Sequence, residues 1–238
     1  MEKAIVLLSG GIDSTTCLAM AVDKFGFENI TALSIQYGQK HSKELESAKK
    51  IAEHYKVLHI VKDLSDIFSF SNCSLLKGSD RNIEHSSYAE QLEAIGGEGT
   101  VSTYVPFRNG LLLSFAAATA ISIGAGVIYY GAHADDAAGR AYPDCTPEFE
   151  RAMNEAIYEG SGHILRMYAP LMEMNKAGVV EAGLSLDAPY ALTWSCYEGD
   201  DVPCGTCGTC IDRQAAFDAN GIADPAIEKI EQKNNDGK

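Results

Sequence analysis

Residues 7–17 read LLSGGIDSTTC and directly continue the apolar run Ala4–Leu8. An all-apolar run of that length reads as a strand covered on both faces, the habit of central parallel strands. From Ser14 to Phe25 the pattern turns helical, with Cys17, Leu18, Ala21, Val22 and Phe25 on one face. The turn between strand and helix is short, glycine-rich and hydroxyl-rich. Gly10 and Gly11 free the backbone and let an anion approach it. Successive N–H groups from Gly10 to Thr15 can converge into a nest, and a helix N-terminus adds partial positive charge. Ser9, Ser14, Thr15 and Thr16 supply further donors. The turn is therefore set up for phosphate. Asp13 breaks that charge logic, because a carboxylate repels phosphate. A Mg²⁺ between the two resolves it, since Mg²⁺ favours carboxylate together with phosphate oxygens. The plainer alternative is a tight turn with a helix cap, where Asp and Ser are also favoured. No G-x-x-x-x-G-K-[ST] run occurs in the chain, so this is not the common P-loop.

The rest of the sequence repeats the alternation. Residues 30–38 and 57–61 read as strands on either side of a helix over 41–55, whose apolar stripe is Leu45, Ala48, Ile51, Ala52 and Tyr55. Residues 71–103 show no clean period and read as a long, mobile insertion. A helix from about 110 to 123 leads into a strand at 127–131. Thr146 and Pro147 form an N-cap and N1 pair for a helix to about Tyr158. A late strand follows at 164–171, then a helix capped by Asn175 to about Leu184, a cysteine cluster, a helix across 211–219 and a polar tail. Alternating β and α predicts an α/β fold with a doubly wound parallel sheet. Ligands in such sheets bind beyond the carboxyl ends of the strands, where the opening turn lies. The expected organisation is a main domain over 1–190, a cysteine segment over 191–220 and a tail over 221–238.

Composition narrows the partners. The 238 residues suit one large domain, 46% of them apolar, and the formal charge is −14. An acidic surface repels phosphate backbones, so no stable nucleic-acid partner is expected. The stretch Asn109–Val127 is uncharged and long enough to span a bilayer. Gly124 and Gly126 interrupt it, and the expectation is a buried helix, a turn and a central strand, with no membrane partner. The first apolar run is too short for a secretory leader. The expected compartment is the reducing cytoplasm, which disfavours disulfides among the seven cysteines.

Cys196, Cys204, Cys207 and Cys210 place four thiols within fifteen residues, with Gly205 and Gly208 for the tight turns of a knuckle. Four Cys ligands make a closed tetrahedral zinc site, structural rather than catalytic. An iron–sulfur cluster uses the same ligands, and a metal-free knuckle is the third reading.

The SGGIDS run resembles the S-G-G-x-D-S motif of the N-type ATP pyrophosphatases, the PP-loop superfamily. That resemblance implies ATP cleavage between the α- and β-phosphates, with Leu8, Ser9, Gly10, Gly11, Ile12, Asp13, Ser14 and Thr15 at the nucleotide and Asp13 catalytic. Further runs follow in order: VPFRNGLLLS at 105–114, GAHADD at 131–136, YPDCTPEF at 142–149, and TWSCYEG leading into CGTCGTCIDRQAAF. Together they resemble the 7-cyano-7-deazaguanine synthase family of the queuosine pathway over nearly the whole chain. The resemblance is weakest across 71–103 and the tail. It implies that a carboxylate on 7-deazaguanine is adenylated and ammonia displaces AMP. The resulting amide is then activated in turn and loses its oxygen as a nitrile forms, with two ATP consumed. It also implies a homodimer.

Other residues have competing readings. Arg108 neutralises phosphate or the substrate carboxylate, or makes a surface ion pair. Asn109 is a candidate helix cap. Asp135, Asp136 and Asp144 either accept the N1–H and N2–H₂ donors of a guanine-like ring, hold Mg²⁺, or decorate a solvated loop. His133 is a candidate proton shuttle, Tyr142 a stacking surface for the base, and Lys176 a phosphate ligand or an exposed lysine. Cys145 is singled out by its place in a motif. Two rival functions remain. A tRNA thiolase on the same scaffold is opposed by the acidic charge. A zinc-ribbon nucleotide-binding module without activity is opposed by the intact Asp13 and the hydroxyl-rich loop.

Overall fold

Strand β1 (Ala4–Leu7) lies at the centre of a five-stranded parallel sheet in the computed structural model, which describes residues 2–40 and 42–228. His41, at the predicted start of the second helix, and residues 229–238 of the predicted tail fall outside the described residues. β1 pairs with β2 (Ile30–Gln36) on one side and β4 (Val127–Tyr129) on the other, with Ala4 in register with both Ile30 and Val127. β3 (Leu58–Asp63) and β5 (Arg166–Tyr168) complete the order β3-β2-β1-β4-β5.

The alternation of side chains along β1 sends consecutive residues to opposite faces. Ala4, Val6 and Leu8 pack with α1 (Ile12–Phe25), α2 (Lys43–Tyr55), α7 (Lys176–Ser185) and α8 (Gly208–Ala219). Ile5 packs instead with α4 (Arg108–Ile123) and α6 (Pro147–Gly160). Both faces are covered, which is why the strand is apolar at every position. The strand order reverses across β1 and β4. Their connections leave on opposite faces, and a crevice opens at their carboxyl ends.

The uncharged stretch resolves as expected, into α4, a left-handed turn at Gly124 (φ 70°) and buried β4. Among the described residues no helix is long and apolar enough to cross a membrane. Thr146 caps α6 through the Phe149 N–H, and Asn175 caps α7 through the Gly178 N–H. The late strand is shorter than predicted, since only Arg166–Tyr168 pair with β4.

Residues 71–103 depart from the expectation of a mobile insertion. They hold α3 (Tyr88–Ala94), closed by a reciprocal Ser87–Glu90 capping box, while α5 (Ala134–Ala137) is a single turn after β4. Leu75, Leu76 and Ile83 are buried with Val105, Trp194 and three of the clustered cysteines. Leu92 and Val101 join the α4 side of the core. Their apolar residues divide between two core clusters at irregular spacing, so no period marks them in the sequence.

Candidate active site

Leu8 to Gly11 form the whole link between β1 and α1, and its geometry is forced by contact. Gly10 has φ 98°, and a Cβ there would collide with the Glu44 carbonyl oxygen. The Ser14 hydroxyl closes the loop by accepting the N–H groups of Ser9 (3.1 Å) and Gly10 (3.3 Å). α1 begins at Gly11 with no side-chain cap, so its first-turn N–H groups have no intrahelical acceptor and face the crevice. Gly131, just after β4, closes the other side. A Cβ on it would stand 3.3 Å from the Asp13 carbonyl carbon and the Ser14 nitrogen.

Four charged or polar groups meet behind this loop. Lys176 Nζ donates to both Asp13 oxygens, at 2.8 and 2.7 Å, and lies 3.2 Å from His133 Nε2. His133 Nε2 is also 3.4 Å from Asp136 and 3.8 Å from Asp13. Burial pushes the Asp13 carboxyl up, but the Lys176 ammonium and His133 outweigh it and hold Asp13 below the usual range. Burial likewise pulls Lys176 down, while Asp13 and Asp136 keep it charged. Asp136 is raised by burial, against the pull of His133 and Lys176. His133 is itself buried, and its Nδ1 has no hydrogen-bond partner among the described residues.

The crevice is a cavity of about 240 Å³. One end is the loop, with Asp13, Asp136 and Lys176. The other is aromatic, lined by Tyr37, Tyr88, Tyr142 and Tyr197. The Tyr88 and Tyr197 hydroxyls share a hydrogen bond of 2.8 Å, and Tyr142 bonds Thr103 at 2.6 Å. Arg108 forms no salt bridge among the described residues. Its guanidinium lies over the Tyr37 ring at 4.9 Å and donates to the Tyr37 hydroxyl at 3.2 Å. It is a cation held by an aromatic wall and turned to the cavity.

Asn109 does not cap its helix. Phe107, at φ 54°, stands at the cap position, and Asn109 lies in the first turn. Its backbone N–H donates to Asp144 at 2.8 Å, and its Nδ2 reaches Asp144 and the Cys145 sulfur, each at 3.2 Å. Burial pushes the Cys145 thiol up, so it stays protonated in the cavity wall.

The four clustered cysteines bring their sulfurs within 4.8 Å of one another. Cys196 Sγ accepts N–H groups from Gly199 (3.1 Å) and Cys204 (3.2 Å), and Cys204 Sγ accepts that of Cys207 (3.3 Å). Four sulfur donors held this close, two of them accepting backbone N–H groups, form a compact all-sulfur set. The donor set therefore fits a soft tetrahedral metal. This segment touches the phosphate loop directly, since the Trp194 N–H donates to the Gly10 carbonyl at 2.9 Å. Thr209 and Arg213 of α8 hold Ser195 by bonds of 2.7 and 3.2 Å, and Ser195 and Thr209 both line the cavity.

The model of the family described as queuosine biosynthesis protein QueC matches residues 3–221. The chain belongs to the QueC family. It is 45% identical over 233 residues to the 7-cyano-7-deazaguanine synthase of Archaeoglobus fulgidus, covering 98% of this chain and 92% of that one. The synthase of Caldicellulosiruptor bescii is 43% identical over 229 residues, covering 96% and 98%. The fold is also that of the NMN synthetase of Francisella tularensis, with a TM-score of 0.51 at 18% identity, over 96% of this chain and 82% of that one.

In this QueC-family chain the sequence candidates around the loop separate into three groups. Leu8, Ser9, Gly11, Ile12, Asp13, Ser14, Arg108, Asp136, Tyr142 and Lys176 line the cavity. Gly10, Thr15 and His133 stand just behind it. Asp135 and Asp144 do not line it. Asp135 is exposed and accepts the Lys176 backbone N–H at 2.7 Å, and Asp144 is buried against Asn109. Sequence reasoning missed Tyr37, Glu44, Tyr88, Thr103, Ser195, Tyr197 and Thr209. A signal existed for Glu44, which precedes Ala48, Ile51 and Tyr55 on the same buried helical stripe.

Proposed function

We propose that this enzyme converts 7-carboxy-7-deazaguanine and ammonia to 7-cyano-7-deazaguanine in queuosine biosynthesis, consuming two ATP per nitrile. One observation carries the reading: in a QueC-family chain, a phosphate-binding loop and an aromatic pocket with charged groups share a single cavity. The carboxylate oxygen of the substrate attacks the α-phosphorus, and pyrophosphate departs into the N–H groups at the start of α1. Arg108 and Lys176 supply the positive charge that the phosphates and the substrate carboxylate need. Ammonia then displaces AMP from the acyl adenylate. The amide passes through the same cavity, where its oxygen is adenylated and leaves. Tyr142 offers a face to the deazaguanine ring, and Asp136 accepts from its N1–H and N2–H₂ edge. Asp135 and Asp144 act at one remove, fixing the starts of α7 and α4. Asp13 is the carboxylate for Mg²⁺, which would neutralise charge on the departing pyrophosphate. Zinc is the metal we assign to Cys196, Cys204, Cys207 and Cys210, in a structural role.

The test incubates the protein with ATP, ammonium and 7-carboxy-7-deazaguanine. The expected products are the nitrile with two AMP and two pyrophosphate. ADP in place of AMP contradicts the reading, as does the absence of nitrile. Salt-sensitive tRNA binding without nitrile would indicate a thiolase instead. The homodimer implied by the family resemblance and the cytoplasmic location expected from the sequence belong to the same proposal, and sedimentation equilibrium tests the dimer.

A further inference from the structure

Three acids line the cavity: Asp13, Glu44 and Asp136. Asp13 is held by Lys176, and Asp136 faces His133. Glu44 differs from both. It is half-buried in the first turn of α2, and its carboxylate forms no hydrogen bond or ion pair with any described residue. Its backbone is wedged against the phosphate loop, because the Glu44 carbonyl oxygen occupies the space a Cβ on Gly10 would need. The carboxylate is thus tied in position beside the nucleotide loop while its oxygens remain free. Around it stand Tyr37 after β2, Tyr197 of the cysteine segment and Arg108 of α4, the groups whose charges couple to it.

We propose that Glu44 is the catalytic base that takes protons from nitrogen in both halves of the reaction. This role rests on the proposed nitrile synthesis, and the chemistry of that synthesis asks for it twice. In the first half the ammonia nitrogen bonds to the carbonyl carbon of the acyl adenylate. The bond from that carbon to the AMP oxygen breaks, and the oxygen keeps the electron pair. The nitrogen sheds one proton to become the amide, after ammonium has shed one to become ammonia. In the second half the amide oxygen has been adenylated with loss of pyrophosphate. The carbon–oxygen bond breaks, AMP keeps the pair, and the nitrogen gives up two protons as C≡N forms. Apart from the ammonium proton, which is lost before the carbon–nitrogen bond forms, each of these protons leaves a nitrogen bonded to the same carbon, so one fixed base serves both rounds and returns each proton to solvent before taking the next. Burial raises the Glu44 carboxyl to about 7, against the opposing charge of Arg108, which suits a base working near neutral pH. His133 is less suited, since it is buried behind the loop and its Nε2 is occupied by Lys176 and Asp136.

Glu44→Gln separates the steps. Adenylation, read as pyrophosphate–ATP exchange driven by the carboxylate substrate, should stay within about threefold of the parent. Amide formation, and nitrile formation from supplied amide, should each fall roughly 100-fold. The parent's rise in rate with pH, half-complete near 7 and levelling off above it, should vanish in this variant. Glu44→Asp should recover part of both nitrogen steps. Parent-like nitrogen steps in Glu44→Gln overturn the role, and so does a loss of exchange equal to the loss of turnover. A parent that forms no nitrile overturns the proposed function first. A parent that forms it while Glu44→Gln keeps pace overturns this role alone.

Discussion

Asp13 and Lys176 illustrate how two charges coexist in a cavity wall. Each side chain is about three-quarters buried, and neither is tolerable there alone. Their contact keeps both ionised. Asp13→Asn should reduce turnover by roughly 100-fold or more, the scale of losing a charge that acts on the transition state. Metal content at the cysteines should not change, and a variant turning over near the parent rate would remove Asp13 from the chemistry. Glu44 makes a prediction of opposite sign in stability. Its folded carboxyl is raised from 4.5 to about 7, so ionising it costs the folded state more than the unfolded one. That cost is absent below the unfolded value, grows as pH rises through the interval, and is complete above 7. Glu44→Gln should therefore match the parent at pH 4 and melt higher at pH 8. Partial exposure screens the effect to about 1 kcal/mol, or roughly 2–4 °C in a chain of this size. A thermal melt at the two pH values reads it.

At the scale of elements, the start of α4 depends on one buried carboxylate. Asp144 accepts the Asn109 N–H and its Nδ2, and its own carbonyl accepts the Tyr130 hydroxyl at 2.9 Å. Asp144→Ala leaves those Asn109 donors without their acceptor and frees the turn that aims Arg108. Stability should fall by about 1–3 kcal/mol, measured by urea titration, and the KM for the carboxylate substrate should rise. Elements of this kind explain what the sequence conveyed. β1, α1 and the turn between them were legible because an unbroken apolar strand, paired glycines and a helical apolar stripe follow one another over a few consecutive residues. The Thr146 and Asn175 caps were legible for the same reason. The Asn109–Asp144 link was not, since it joins residues 35 apart that each make ordinary local sense. The aromatic wall was illegible too. Tyr37, Tyr88 and Tyr197 come from three segments with no shared period, and they meet only where the insertion and the cysteine segment pack on each other beside the sheet. Asp135 and Asp144 misled because an acidic residue in a motif reads alike whether it faces a ligand or holds a helix.

Across the whole molecule, the cysteine segment is part of the cavity's construction. It supplies Ser195 and Tyr197 to the wall, and Trp194 bonds the Gly10 carbonyl at 2.9 Å. Its other side packs on residues 71–103, through Leu75, Leu76 and Ile83 and through the Tyr88–Tyr197 hydrogen bond. Phosphate loop, insertion and knuckle therefore lean on one another, and the four-cysteine cluster stands where the three meet. A structural zinc contributes about 10–16 kcal/mol of binding free energy, against a typical domain stability of about 5–15 kcal/mol. Removing it should therefore do more than loosen a surface knuckle. Four sulfurs packed within 4.8 Å lose the cation that balances them, and the segment that holds the Gly10 carbonyl relaxes with them. Cys204→Ser, or strong chelation of the parent, should expose residues 195–213 to limited proteolysis. It should also weaken ATP binding at least tenfold, although no cysteine of the cluster belongs to the phosphate loop. Returning zinc to the chelated parent should restore both, and it should do neither for Cys204→Ser. Protection and ATP affinity that survive complete metal removal would mean that packing alone holds the loop, and that the metal is incidental to the cavity it adjoins.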